Sequence, residues 1–447
     1  MLNFIGAILF NGTIYAVKRY PILKRVYIGL GIAFLVANSF SIRNGNMVLD
    51  TWLAIVVFFG IKGYIEEIPL RQKRQSWESL FEELNLKTKD RATHFLYEKA
   101  ISKYSTETFL KTIIPLNVWN SKKEELEMRL NQKIISIRQD KVNNQIIRLI
   151  IQKEPLASKI DWQESYIDKN NNILNIGIGY LGAAYMDLEK SPHAFIAGET
   201  GSGKSNILKC LIHQSLAKNY DVVLIDFKRG VSFSFFSEMV DVYYDYSNVT
   251  KILDDMVAET NKRLDLFRMN KVDNLKAYNR VKPNTLKRKI IFIDELAELL
   301  KTRDKAISNR LYDSIETLTR ISRAVGIHLI MGIQRPDSTI INGQIKNNVS
   351  FRVCGRFVDK EPSRIMLGSD EASNLANIRG RFIVKDDEVC EVQSFYYSEI
   401  DSYSLKSKPK EDKPTISEPL VEENKEVPPK TESISNEFDF DFSDIKK

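Results

Sequence analysis

Apolar and polar positions alternate in three different ways along this chain. Two uncharged runs, VYIGLGIAFLVANSF (residues 26–40) and TWLAIVVFFGI (residues 51–61), dominate the first 65 residues. A bilayer crossing takes about 20 mostly apolar helical residues, so with their flanks these runs predict two transmembrane helices, at about 22–42 and 47–65, in an anchor over 1–70. A buried helical hairpin is the alternative reading of the same pattern, whereas a cleaved signal peptide does not fit two apolar segments in succession. Residues 2–17, LNFIGAILFNGTIYAV, are apolar but interrupted by polar positions; they read as an interfacial segment, with a third span as the other option.

Beyond residue 70 the spacing becomes amphipathic. Helical patterning in SWESLFEELNL and SKKEELEMRLNQ gives way to KIISIRQ and QIIRLIIQ around the polar DKVNN, a strand pair, and together these predict a small α+β adaptor over 71–188. From His193 onward strands alternate with helices: HAFIAG, DVVLIDF, KIIFIDE, GIHLIMG, SFRVCGRF and RFIVK are the candidate strands of a mostly parallel sheet over 189–400. In such sheets the chemistry gathers at the carboxyl ends of the strands. After residue 401 Pro, Ser, Glu and Lys replace the apolar positions, which predicts a disordered acidic tail over 401–447. Its EFDFDF reads either as a docking peptide or as a solvated end.

Composition sharpens this picture in two places. Lys and Arg number 65 against 58 Asp and Glu, a net charge of +7 that suits an anionic partner without naming one. The distribution says more: Lys18, Arg19, Lys24 and Arg25 lie before the first apolar core and Arg71, Lys73 and Arg74 after the second, with only Arg43 and Asp50 between them. Basic flanks stay in the cytoplasm, so the expectation is a multi-pass protein of the cell membrane with its motor domain in the cytoplasm. The three cysteines, Cys210, Cys354 and Cys390, are far apart in apolar surroundings and support neither a disulfide framework nor a zinc site.

The candidate chemistry is that of ATP. GETGSGKS (residues 198–205) satisfies G-x-x-x-x-G-K-[ST] between an apolar strand and a helix. Gly198, Glu199, Thr200, Gly201, Ser202, Gly203, Lys204, Ser205 and the following Asn206 are therefore the candidate nucleotide-binding residues. The loop N–H groups and the helix N-terminus would face phosphate oxygens, Lys204 would reach the β- and γ-phosphates, and Ser205 would hold Mg²⁺. KIIFIDEL ends a strand on two carboxylates: Asp294 as the second Mg²⁺ group and Glu295 as the group polarising the attacking water. DVVLID lies between these motifs in sequence, which fits the additional-strand class of P-loop ATPases. In GIQRPDST (residues 332–339), Gln334 falls at the tip of the next strand, where an amide would sense the γ-phosphate or orient water; its alternative is a turn residue ahead of Pro336.

SPHAFIAGETGSGKS, IDFK, IIFIDELAELL, SRAVGIHLIMGIQRP, INGQIKNNVSFRV and EPSRIMLG, in this order over about residues 191–393, resemble the motor domain of FtsK/SpoIIIE-type DNA translocases. The resemblance implies a RecA-like P-loop ATPase working as a homo-hexamer that moves DNA regardless of sequence. It places Arg323 and Arg364 where an arginine would complete a neighbouring subunit's site; each could equally be a surface ion-pair residue. Lys301, Arg303 and Lys305, in KTRDKAISNR, are candidates for gripping DNA phosphates, or else a solvated face. The family's division-site members carry a large linker and a winged-helix reader, and neither fits the acidic tail. The short anchor, the small adaptor and IGYLGAAYMDLEKSPHAFIAGETGSGKS look instead like FtsK-like coupling proteins of Gram-positive conjugative plasmids and integrative elements. That likeness implies delivery of DNA to a membrane channel, with relaxosome and transfer-channel proteins as partners. A chromosome-segregation translocase is the second reading. A type VII-like protein-secretion ATPase is the third, although such motors usually occur in tandem and this chain carries a single P-loop.

Overall fold

The computed structural model describes residues 69–86, 93–282, 285–338, 340–341, 343–398, 401 and 405. The two expected membrane spans and the tail beyond residue 405 lie outside them, and no helix among the described residues is long and apolar enough to cross a membrane.

Two sheets organise this part of the chain. The smaller is antiparallel, in the order β1-β2-β4-β3, from β1 (His94–Ala100), β2 (Ser105–Lys111), β3 (Ile134–Gln139) and β4 (Ile146–Gln152). The β3–β4 hairpin is the one expected around DKVNN. The Asp140 carboxylate accepts the N–H groups of Val142 and Asn143 and so reverses the chain. One face packs Phe95, Leu110, Ile147 and Leu149 under the helix at residues 69–83, with Trp77 and Phe81, and under Trp119 and Leu126.

The larger sheet holds eleven strands: β5 (Ile160–Asp161), β6 (Ile173–Gly179), β7 (Gly182–Asp187), β8 (Ala194–Ala197), β9 (Asp221–Ile225), β10 (Val242–Tyr243), β11 (Lys289–Ile293), β12 (Ile327–Ile333), β13 (Phe351–Gly355), β14 (Arg381–Lys385) and β15 (Val389–Tyr396). Its order is β10-β9-β11-β12-β8-β13-β14-β15-β6-β7, with β5 beside β15. The strands from β10 to β13 run parallel, and all six expected strands are present; from β14 to β7 the pairing is antiparallel, so the sheet is mixed. The parallel strands are covered on both faces, as such strands must be. Phe195 and Ala197 of β8 point toward the helices Tyr246–Met269 and Lys305–Ile321, while Ala194 and Ile196 point toward the helix Lys204–Ala217. A side chain the size of Phe195 or Ile196 buried this way contributes about 1.5–3 kcal/mol.

Two expectations from sequence are corrected here. The sequence pattern carries the adaptor to residue 188, but β6 and β7 belong to the ATPase sheet: Ile178 of β6 faces Gln393 of β15. The buried Arg381 binds the carbonyls of Leu156 and Ala157, so the chain joins this sheet near residue 156. Glycines disguised the strand. Gly177 is needed because a Cβ there would come within 2.2 Å of the Gln393 carbonyl oxygen, a close approach rather than a break. The second correction concerns the additional strand. DVVLI is β9, on the outer side of β11; the strand inserted between β8 and β11 is β12, the one leading into GIQRPDST.

Candidate nucleotide site

The insertion of β12 builds the site. β8, β12 and β11 are in parallel register, Ile333 opposite Ala197 and Met331 opposite Ile293, so their carboxyl ends open onto one edge. The N–H of Gly198 donates to the Ile333 carbonyl at 3.1 Å, which fixes the start of the phosphate loop against the end of β12. Gly332 is where the strands come closest: a Cβ there would lie 2.1 Å from the Asp294 carbonyl oxygen.

Gly201 (φ 87°) and Gly203 (φ 107°) take left-handed backbone conformations that a side chain would strain. The helix Lys204–Ala217 then begins on Gly203 with no side-chain cap, whereas Asp245 and Asp304 cap the two long helices beside the sheet. Its first N–H groups are thus left for an anion. Lys204 is 4% exposed and its Nζ donates to the Asp294 carbonyl and, at 3.2 Å, to Glu295 Oε2. Asp294, 1% exposed, takes Lys228 Nζ at 3.1 Å and the Ser232 hydroxyl at 3.0 Å on Oδ2, while its buried Oδ1 has no hydrogen-bond partner. Burial alone would push the Asp294 carboxyl up; the ammonium groups of Lys204 and Lys228, with the hydrogen bonds from Lys228 and Ser232, outweigh it and hold the group below its ordinary value. Glu295, 7% exposed, receives the backbone N–H of Gln334 on both oxygens, at 2.9 and 3.1 Å.

These features fit a nucleotide triphosphate with Mg²⁺: an uncapped helix start, a glycine-shaped cradle, and an ionised carboxylate with one oxygen that has no hydrogen-bond partner and meets only the Lys204 ammonium, at 3.7 Å. Lys204, Asp294, Glu295 and Gln334 are brought together as expected, with Ser205 on the first turn of the helix. Asn206 is not. Its Nδ2 donates to the Phe395 carbonyl at 2.6 Å and its Oδ1 accepts the Tyr397 N–H at 3.3 Å, while its own N–H goes to Gly203. Asn206 therefore clamps the helix to the end of β15 and also lines a cavity beside Gly203. Glu199 accepts the Val358 N–H at 2.8 Å, tying the loop to the segment after β13.

The arginine candidates sit apart from this cluster. Arg323 lies at the amino end of β12, about 23 Å of strand from Gln334 at the usual rise, and its Nε donates to the Glu189 carbonyl at 3.0 Å. Arg364, on the helix Lys360–Leu367, makes a two-pronged pair with Asp370 at 2.5 and 3.0 Å, which raises its pKa and lowers that of Asp370. Lys301, Arg303 and Lys305 are exposed in the turn between the helices Leu296–Leu300 and Lys305–Ile321.

Sequence reasoning missed three contributors. Asp226, at the end of β9, accepts the N–H groups of Lys228 and Ser232, and this turn delivers their side chains to Asp294. The only signal was position, a carboxylate and a lysine at the same sheet edge in IDFK. Beside Gly203 a cavity of about 200 Å³ is lined by Lys159, Arg379, Gly380, Phe395 and Tyr396, with Lys159 Nζ 4.3 Å from the centre of the Tyr396 ring. Lys159, just before β5, is far in sequence from the others, and the pairing of β5 with β15 brings it to them.

The family model described as FtsK/SpoIIIE family matches residues 163–338. Among curated proteins, the DNA translocase FtsK of Staphylococcus aureus is 31% identical over 255 residues, 52% of this chain and 31% of that protein, and that of Campylobacter jejuni is 30% identical over 254 residues. The matches thus span about a third of those relatives' length or less. Among solved structures, the monomer form of the pCW3 conjugation coupling protein TcpA with ATPγS is 33% identical, covers 75% of this chain and 98% of its own, and superimposes with a TM-score of 0.56. EssC (ATPases 2 and 3) from Geobacillus thermodenitrificans, 18% identical with a TM-score of 0.50 over 56% of this chain and 52% of its own, shares the fold.

Proposed function

Because this chain belongs to the FtsK/SpoIIIE family, we propose that it is a membrane-anchored, ATP-driven DNA translocase that serves as a conjugative coupling protein. The observation that carries this reading is the extent of the likeness to TcpA. That likeness takes in 75% of this chain, against 52% for the Staphylococcus aureus FtsK, and so reaches beyond the motor.

In this reading the phosphates of ATP lie on residues 198–205 and the base enters the cavity beside Gly203, near Lys159 and Tyr396. Lys204 leaves the carboxylates for the phosphates. Ser205 and Asp294 would hold Mg²⁺, which neutralises charge at the scissile bond. Glu295, oriented by the Gln334 N–H, takes the proton of the attacking water. Within one subunit, Lys204 and Lys228 only balance Asp294 and Glu295, so beyond what Mg²⁺ would neutralise, the triphosphate's charge is left to be met from outside. This supports a homo-hexamer in which Arg364, released from Asp370, or Arg323 serves the neighbouring subunit. Lys301, Arg303 and Lys305 would grip the DNA backbone, and relaxosome and channel proteins would be met at the membrane.

A chromosome-segregation role is the second reading, favoured by the names of the curated relatives. A transfer assay separates the two: Lys204→Ala should abolish DNA transfer between cells. Normal transfer with that variant removes the coupling role, and a simultaneous chromosome-partition defect would install the alternative.

A further inference from the structure

The open face of the small sheet carries a row of side chains in register across all four strands. Tyr97 on β1 lies opposite Phe109 on β2, Phe109 opposite Arg148 on β4, and Arg148 opposite Arg138 on β3. The Tyr97 and Phe109 rings stack with centroids 4.4 Å apart and planes 19° apart, and the Arg148 guanidinium lies 5.4 Å from the Phe109 centroid. This row exists because of a bulge. The register shifts between Phe95 and Tyr97, so β1 puts Phe95 into the core opposite Leu110 but turns Tyr97 to the open face, where it is 51% exposed.

Charge frames the two rings. Lys99 follows Tyr97 by two residues on β1 and Lys111 follows Phe109 by two on the antiparallel β2, so they stand at opposite ends of the ring pair, each about 7 Å along its strand. Both are exposed, and neither has an ion-pair partner among the described residues. The nearby acids are spent: Glu107 is buried and bound by Arg148, and Asp140 also faces Arg148, at 3.9 Å. Arg138 is held by Glu388 at 2.5 Å, so the free part of the face is the β1–β2 half.

We propose that this face binds single-stranded nucleic acid, with unpaired bases stacking on Tyr97 and Phe109 and the flanking phosphates meeting Lys99 and Lys111. A flat π surface beside cations is what a single strand needs, since every base offers a face to stack and the backbone offers charge. Duplex bases are stacked on one another and have no such face to give. The site lies outside the ATPase sheet and does not depend on how that sheet uses ATP.

The test is photo-cross-linking of a short oligothymidylate carrying 5-iodouracil to the full chain without nucleotide, followed by mapping of the modified peptide. The adduct is expected at Tyr97 or Phe109, competed away by unlabelled single strand and not by duplex. Tyr97→Ala, at an exposed position, should weaken binding about tenfold, and Lys99→Glu with Lys111→Glu should do the same and flatten its salt dependence. Basal ATP hydrolysis should be unchanged in both, so loss of the adduct is separable from failure of the ATPase reading. Adducts confined to the ATPase sheet, equal competition by duplex, or wild-type binding by the Tyr97→Ala chain overturn the proposal. Binding to phosphatidylserine vesicles that needs Lys99 and Lys111, without any oligonucleotide adduct, assigns the face to a membrane instead.

Discussion

The backbone N–H of Gln334 lies 2.9 and 3.1 Å from the two carboxylate oxygens of Glu295. The strand tip therefore orients the Glu295 carboxylate through its main chain, which leaves the Gln334 amide for a different task. Gln334→Ala keeps the N–H and should keep both the fold and ATP binding. If the amide reads the γ-phosphate, kcat for ATP should fall about tenfold or more with little change in KM, since the lost contact belongs to the reacting state. An unchanged kcat would leave the amide without a role.

Gly332, two residues earlier, supports the same carboxylate pair from below. A methyl group at this position would meet the Asp294 carbonyl at 2.1 Å, and backbone has no flexible end that can yield. Gly332→Ala should therefore push β12 away from β11, costing about 1–3 kcal/mol as overpacking does and disturbing the carbonyl that Lys204 binds. A melting curve and an ATPase assay read both effects; wild-type values in both would mean the strands separate more easily than their register suggests.

Lys204 and Glu295 should fail differently. Removing the ammonium in Lys204→Ala leaves Glu295, 7% exposed, without its cation and Asp294, 1% exposed, with only that of Lys228. The variant should lose ATP hydrolysis and also stability, since breaking a buried pair from one side costs about 3–5 kcal/mol. Glu295→Gln keeps the shape and a hydrogen-bonding group, and should bind ATP without turning it over. Titration with a fluorescent ATP analogue beside a steady-state assay separates the two, and turnover by the Glu295→Gln chain would reassign the base.

Much of this site was legible because its parts are local in sequence. A phosphate loop needs its glycines, lysine and serine within eight residues, and an apolar run ending in Asp294 and Glu295 marks its own strand end. What sequence hid was adjacency. Nothing in DVVLI or GIHLIMGI says which of them lies next to β8; that follows from which crossover skips a strand, a property of the packed helices. Asn206 shows the same limit at a single residue. It directly follows the motif, yet the helical turn points it at Phe395 and Tyr397, almost two hundred residues away in the chain. Lys228 and Ser232 were hidden because a 3₁₀ turn hung on Asp226 brings them to Asp294.

Asn206 supplies a prediction of its own. Asn206→Ala removes two hydrogen bonds between the phosphate-loop helix and the end of β15 and none to the loop itself. It should cost about 1–3 kcal/mol of stability, the usual penalty for leaving buried partners unmet, and, because Asn206 lines the cavity given to the base, it should raise the KM for ATP with little change in kcat. Unchanged melting would mean that the clamp adds nothing to stability, and an unchanged KM would place the base elsewhere.

At the far edge of the same sheet, acid should loosen what the carboxylates leave untouched. His193 is fully buried where the chain enters β8; its Nδ1 accepts the Leu329 N–H at 3.0 Å, so a proton there would meet a donor instead of an acceptor. Burial, with a smaller push from Arg323, drives its pKa down to about 3, and burial, with Arg288 close by, drives that of His328 well below its ordinary value. A histidine whose folded pKa is lowered stabilises the fold in full above its unfolded value, near 6.5, and that stability drains away as pH falls toward the folded value. For His193 the loss between pH 7 and pH 5 comes to about 2 kcal/mol, and His328 adds to it in the same direction. Denaturant titrations of the wild type at the two pH values should show this loss. His193→Gln, which keeps an acceptor for Leu329 but has no proton to gain, should reduce the pH dependence by about that amount; an equally steep dependence in the variant would place the acid sensitivity elsewhere.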